Sequence, residues 1–196
     1  LDNRVCDCCQ TSAAITDNGP VVVYRDRSDS EIRDISIVRF VNGQWTAPKS
    51  IFADNWKIEG CPVNGPRIAA TGNNVAVAWF SSPDKNALVN VAFSKDGGAA
   101  FSDPVKVNDD KTIGRVDIEW MNEKTVMVTW MEGAVVKATK VYNDGKKDSS
   151  FIVASTSESR SSGFPQMTKT ENSMIFAWTD DKKKTIRVAS LFIKEN

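Results

Sequence analysis

One pattern recurs four times along the chain and leaves few folds open to it. A short apolar run ends on an aromatic side chain at Tyr24, Trp79, Trp130 and Trp178, in the runs 21–24, 75–79, 126–130 and 174–178. A turn carrying Asn, Gly or Glu-Asn precedes each run (17–19, 72–74, 122–124, 171–173). Before each turn lies another strand-like stretch (12–16, 66–71, 116–121, 165–170), and after each aromatic lies a third (34–41, 88–94, 134–142, 185–193). Short β-prone segments broken by Gly, Pro and Asn, without helical periodicity, predict an all-β chain. Second strands that are apolar at nearly every position are expected to be buried on both faces. The period is roughly fifty residues, the size of one propeller blade. The expected architecture is a β-propeller with about four blades, near 10–60, 61–113, 114–163 and 164–196, in one domain.

The ends of the chain predict that the ring continues beyond it. The fourth repeat has no outer strand after Ile193, and propellers commonly take such a strand from the opposite terminus. The start falls within a connector: Asp2-Asn3-Arg4-Val5-Cys6 echoes the stretch from Asp54-Asn55 to Gly60-Cys61. By that echo Cys6 and Cys61 hold equivalent places before the innermost strands of their blades. Further blades upstream of Leu1 are therefore the expectation, and a self-contained four-bladed ring is the alternative. The polar, charged opening at Leu1 carries no signal sequence, as expected of a processed protein or a piece of a longer one.

Composition removes several function classes. The 25 basic and 25 acidic side chains cancel, so there is no electrostatic case for nucleic acid or an anionic membrane surface. No window has the apolar length of a membrane span. Histidine is absent, which excludes Ser-His-Asp and Cys-His catalysis and any His-ligated metal within this chain. Three of the four cysteines crowd into Cys6-Asp7-Cys8-Cys9, and Cys61 stands alone. An even count is compatible with disulfides in any of three pairings. Four thiols also meet the ligand count of a structural zinc or a soft cuprous ion. No other cofactor is indicated. A bond from Cys61 to one of the trio would staple two blades near the axis.

Blade geometry sorts the loops. Turns between first and second strands, and between third and fourth, belong to one face; the remaining loops and connectors belong to the other, where propeller ligands sit. That second face receives 25–33, 53–66, 81–87, 109–115, 155–163 and 180–184. The segment 25–34 packs three arginines and four carboxylates into ten positions. Arg25, Arg27 and Arg33 are candidate guanidinium ligands for an anionic or polyhydroxyl partner. Arg67 at the start of the next inner strand is positioned to join them, as is Gln166 at its register equivalent. Trp56 offers an apolar face to a sugar ring or a lid to the core. The bland alternative is a solvated loop of weak ion pairs, each worth about 0–1 kcal/mol.

The stretch 94–101 reads Ser-Lys-Asp-Gly-Gly-Ala-Ala-Phe. Two glycines supply positive φ for a tight hairpin, and Asp96 can accept backbone N–H bonds inside the turn. With Ser94, Asp96, Gly98 and Phe101 in place, it resembles the Asp-box, or BNR repeat, of sialidase-like β-propellers. The first repeat keeps only Gly43 and Trp45 of this pattern, and the third has Asn143-Asp144-Gly145 instead. The resemblance implies a six-bladed propeller of which this is the C-terminal part, with the box as a folding device away from the ligand face. It further implies an exported bacterial protein (secreted, periplasmic or on the outer surface) that recognises or hydrolyses glycans, with exo-sialidase-like activity if any. For this chain Tyr24 with Glu31 is the one nucleophile pair it offers, while Arg25, Arg27, Arg33 or Arg67 would serve the carboxylate-binding arginines. The missing N-terminal blades and a carbohydrate or other anionic small ligand are the implied partners. The alternative is a non-catalytic interaction propeller whose central face is stapled by cysteines or holds a metal.

Overall fold

The computed structural model describes residues 1–159 and 161–193 and places them in four antiparallel sheets. The first contains β1 (Ser12–Thr16), β2 (Gly19–Arg25), β3 (Ile35–Val41), β4 (Gln44–Trp45) and β5 (Lys49–Phe52). The second contains β6 (Arg67–Thr71), β7 (Asn74–Ser81), β8 (Leu88–Ser94) and β9 (Val105–Lys106). The third contains β10 (Gly114–Asn122), β11 (Thr125–Glu132), β12 (Val135–Tyr142) and β13 (Phe151–Ser155). The fourth contains β14 (Gly163–Lys169), β15 (Ser173–Asp180) and β16 (Thr185–Phe192), three strands among the described residues. Each sheet is a meander in sequence order, except that β5 pairs with β3.

The twelve strands of the repeat fall where the pattern sets them, and the reason is burial. On β7, Val75, Val77 and Trp79 point into a core shared with Val21, Val23, Ile35 and Ile37 of the first sheet. The alternate residues Ala76 and Ala78 point the other way, into a core with Val116, Ile118, Trp120 and Trp130 of the third. Met121 and Met127 then meet Met174, Phe176 and Trp178 of the fourth sheet. A middle strand sandwiched between neighbouring sheets needs apolar side chains at both parities. The innermost strands β1, β6, β10 and β14 pack side by side in that order, so the four sheets fan about one line.

Three of the four aromatics that set the repeat are anchored by carboxylates as well as packed. The Tyr24 hydroxyl donates to Asp2 at 2.6 Å, the Trp79 indole to Asp54 at 2.6 Å, and the Trp130 indole to Glu132 at 2.8 Å. Buried indole and phenol groups need such partners. Asp2 and Asp54 are the residues that the two connectors share in sequence, so the echo is structural.

Residues 94–101 fold as the tight turn their sequence predicts. The Ser94 hydroxyl donates to Asp96 Oδ1 at 2.7 Å and accepts from the Gly98 N–H at 2.9 Å. Asp96 Oδ1 also accepts from the N–H groups of Ala99 (2.9 Å) and Ala100 (3.0 Å). Gly97 and Gly98 hold φ of 68° and 83°, a conformation L side chains rarely adopt. Phe101 packs beneath against the core of the first two sheets. Burial raises the Asp96 carboxyl, but the Ala100, Ser94 and Ala99 donors outweigh it and leave the group below its ordinary range. Asp96→Ala orphans these donors at a partly solvated turn and should cost about 1–2 kcal/mol. Urea midpoints measure this, and ligand binding on the far face should not change.

Candidate functional site

The loops divide into two sets that bond among themselves, as the blade geometry predicts. At one end Asp17 donates its N–H to Gly72 O, Gly97 to Asn73 O, and Lys49 Nζ to Ala99 O. At the other end a continuous chain of bonds runs from residue 25 to residue 181. Arg25 Nε donates to Asn64 O, Asn64 Nδ2 to Ile113 O, Arg115 Nη1 to Ser162 O, and Ser157 to Asp181. Among the described residues, every non-glycine residue with left-handed φ except Asn42 lies at this second end, Glu31, Val63, Arg115 and Phe164 included. Backbone held in sparsely populated regions is over-represented at functional sites.

The arginine-rich segment is here, but its members do different work from a ligand clamp. Arg25 is 1% exposed. Its guanidinium donates to three backbone carbonyls: Asn64 at 2.9 Å, Arg33 at 2.5 Å and Phe80 at 2.5 Å. Its flat face rests on Trp56, 4.9 Å from the ring centroid, and Trp56 is itself buried against Phe80. Arg25 and Trp56 therefore present no surface to a ligand; they tie two loops to the end of β7. Arg33 is 4% exposed and donates to Cys6 Sγ at 3.1 Å and Glu31 at 2.7 Å. Arg27 remains half-exposed and grips Glu31 through its Nε and one Nη.

Tyr24 and Glu31, the candidate nucleophile pair, are not brought together. The Tyr24 hydroxyl belongs to Asp2; burial, then that bond, push the phenol well above its ordinary range. Glu31 accepts from Arg4, Arg27 and Arg33. Hydrogen bonds from Arg27 first and Arg33 second hold its carboxyl down at about 2, a poor base. A recess of about 450 Å³ opens beside this cluster, lined by Asp7, Cys8, Arg27, Glu31, Glu59 and Cys61 among others. Its polar walls already neutralise one another.

The cysteines converge. Cys8 and Cys61 form a disulfide that joins the N-terminal segment to the connector before the second sheet. Cys6 and Cys9 are free and buried, their sulfurs 3.2 Å apart, and Cys6 Sγ is 3.6 Å from Cys8 Sγ. Burial, then the Cys6 contact, push the Cys9 thiol up to about 11. The two segments are locked together elsewhere too. Gly65 donates to Gln10 Oε1, and a Cβ at Gly65 would collide with the Gln10 carbonyl.

Of the polar cluster at the axis, the sequence pattern singled out Arg67 and Gln166 but not Asp117. Pairing registers place Ser12 opposite Val23, Arg67 opposite Ala78, Asp117 opposite Thr129 and Gln166 opposite Ala177, each one residue before the closing aromatic. These four are therefore equivalent positions on the four inner strands. Arg67 reaches across to Gln166 Oε1 at 2.8 Å and lies 3.7 Å from Asp117. Asp117 also accepts the Met167 N–H at 2.5 Å, and Glu119 follows two residues on along the same face of β10. Burial raises Asp117 to about 6 against the pull of Arg67, Met167 and Ile118. Burial raises Glu119 as well. The arrangement offers a cation, an amide and a carboxyl that titrates near neutrality. Both carboxyls stand on one strand, and so on one wall.

The sign for Asp117 follows from its folded pKa lying above the unfolded value of about 3.9. Its penalty is full above about pH 6 and disappears as pH falls toward 4, because the folded state binds the proton first. Relative to Asp117→Asn, the wild-type chain should gain about 2–3 kcal/mol over that interval. Urea melts of both proteins at pH 4.5 and 7 test this, and parallel curves would refute it.

No family model matches the sequence, and no curated protein does at a significant level. Solved structures do match in shape. A family-43 glycoside hydrolase of Bacillus licheniformis superposes with a TM-score of 0.59 at 9% identity, over 92% of this chain and 38% of its own. The Hadza microbial sialidase gives 0.55 at 16% identity, over 92% of this chain and 43% of its own. A β-xylosidase/α-arabinofuranosidase from a compost metagenome gives 0.56 at 9% identity, over 97% and 74%. The chain thus spans well under half the length of the first two. At such identities the likeness is one of fold, and it makes this chain an all-β propeller segment of about four sheets.

Proposed function

We propose that the chain belongs to a carbohydrate-directed propeller, with its ligand end at the axis beside Arg67, Asp117 and Gln166. The observation carrying this is the register equivalence of Ser12, Arg67, Asp117 and Gln166, which brings side chains from four blades to one line. Polyol recognition needs convergent donors and acceptors of this kind, and Arg67 adds a cation for a carboxylated sugar. The neighbours in shape are carbohydrate-active enzymes, one of them in complex with xylotriose. The finer reading is an exported bacterial sialidase-like protein and rests on the Asp-box resemblance at 94–101. On that reading Arg67 is a substrate-carboxylate arginine.

Recognition is favoured over hydrolysis for these residues. Most glycosidases place an acid and a second carboxylate on either side of the scissile bond, and sialidases use a tyrosine nucleophile instead. Here Asp117 and Glu119 share one wall, and Tyr24 is bonded to Asp2 and not to Glu31. The test is a neutral and sialylated glycan binding screen on the full-length protein, with Arg67→Ala and Gln166→Ala. Binding weakened at least tenfold by Arg67→Ala supports the reading. No binding, or binding indifferent to both changes, would discard it in favour of a non-catalytic scaffold, the reading that the sequestered Arg25 and Trp56 favour for the first sheet. Release of free sialic acid from a sialoside would restore hydrolysis.

A further inference from the structure

The four cysteines carry a second site, independent of the sugar-binding reading. Cys6, Cys8 and Cys9 place their sulfurs within 4.8 Å of one another, and Cys61 is bonded to Cys8, so all four sulfurs occupy one small volume. Zinc–thiolate bonds of about 2.3 Å require sulfurs about 3.8 Å apart at the corners of a tetrahedron. The observed 3.2 Å (Cys6 to Cys9) and 3.6 Å (Cys6 to Cys8) are close to that spacing. Cys6 and Cys9 are also an i, i+3 pair across a turn closed by the Cys9 N–H on Cys6 O. The C-x-C-C run thereby conceals a C-x-x-C chelate.

Charge supplies the second observation. Arg33 points an N–H at Cys6 Sγ, and its buried Nε has no hydrogen-bond partner. Arg25, deeply buried, lies within electrostatic reach of Cys9 and Cys6, and among the described residues no carboxylate lies within ion-pair distance of it. Two guanidiniums are thus buried beside neutral sulfur; Arg33 also pairs with Glu31, while Asp54 and Asp34 lie within electrostatic reach of Arg25. A divalent ion held by four thiolates carries two negative charges, and both guanidiniums would lie beside them. The Cys8–Cys61 edge lines the open recess beside Arg27 and Glu31, which provides an entry path.

We propose that Cys6, Cys8, Cys9 and Cys61 form a redox-gated site for a thiophilic tetrahedral cation of the zinc class, closed while Cys8 and Cys61 are joined. Opening needs a thiol or phosphine reductant. With two thiols RSH, the Cys8–Cys61 bond breaks, each sulfur takes up a proton, and RSSR leaves. The divalent ion then displaces four protons, two from these sulfurs and two from Cys6 and Cys9.

Cobalt and zinc test it on the full chain. Phosphine-reduced protein, freed of excess reductant under argon, should bind one equivalent of cobalt with the intense visible bands of tetrahedral thiolate coordination. Zinc should then displace the cobalt. The oxidised protein should show no such bands, and Cys61→Ser and Cys6→Ser should each weaken binding at least tenfold. Should either variant fail to fold, alkylation followed by mass measurement of the reduced wild-type protein decides. Four adducts without zinc and none to one with it uphold the site. Four adducts under both conditions, or equal cobalt binding by oxidised and reduced chains, would overturn it.

Discussion

Arg25→Ala should unfold the protein in roughly 3–5 kcal/mol less denaturant free energy than the wild type needs, a fall in melting temperature of roughly 6–20 °C. The side chain donates to Asn64 O, Arg33 O and Phe80 O, which lie in the connector before the second sheet, in the loop after β2 and at the end of β7. Each buried acceptor left without a donor costs about 1–3 kcal/mol, and the stacking on Trp56 at 4.9 Å goes with them. Against this stands the relief of a buried charge. That relief is limited, because three carbonyl dipoles already solvate the guanidinium in the folded state. Lysine separates the two contributions: it keeps the charge but cannot address three acceptors in the fork geometry of arginine. Arg25→Lys should recover less than half of the loss. Urea midpoints for wild type, Arg25→Ala and Arg25→Lys provide the measurement. An alanine variant within 1 kcal/mol of wild type would show that the clamp does not hold the loops.

The same residue shows where sequence reading stops. Periodicity in 75–79 or 126–130 reports burial on both faces, and the structure buries Val75 to Trp79 and Val126 to Trp130 accordingly. Repeat spacing therefore found twelve strands. It did not find the outer strands β4, β5, β9 and β13; outward positions on β5 and β13 leave Lys49, Ser50 and Ile152 exposed, and their pattern is no different from that of a loop. Nor did it find the tight turn at Pro83–Lys85, where Asp84 and Lys85 hold left-handed φ. At the site the difficulty is of another kind. An arginine beside a strand end reads alike whether its guanidinium meets a ligand or a backbone carbonyl, and carbonyls leave no trace in sequence. Arg115 repeats the lesson: it is 9% exposed, donates to Ser162 O and Glu158 O, and lies over Phe164. Asp117 was legible only through register. Once Trp79, Trp130 and Trp178 are aligned, the residue across from the position before each aromatic is Arg67, Asp117 or Gln166.

Breaking the Cys8–Cys61 bond should be the second large effect. The bond closes a loop spanning 53 residues, for which the chain-entropy account gives about 4 kcal/mol, with about 2–4 kcal/mol usual in practice. The lower part of that range is expected here, because the joined segments stay pinned by other bonds: Gln10 accepts from Gly65, and Arg25 holds Asn64. Cys61→Ser in metal-free buffer should therefore lose about 2–3 kcal/mol in urea melts. Arg25→Ala combined with Cys61→Ser should lose more than the sum of the singles, since both hold the stretch 61–65 in place. Strict additivity would mean that the disulfide and the arginine clamp hold separate parts of the fold. In the reduced wild-type chain the same loss should be reversed by zinc, because an ion bound only by the folded state adds stability in proportion to the logarithm of its concentration. Reduction that leaves the melting midpoint unmoved, with Cys8 and Cys61 both alkylated, would show that the staple carries no stability.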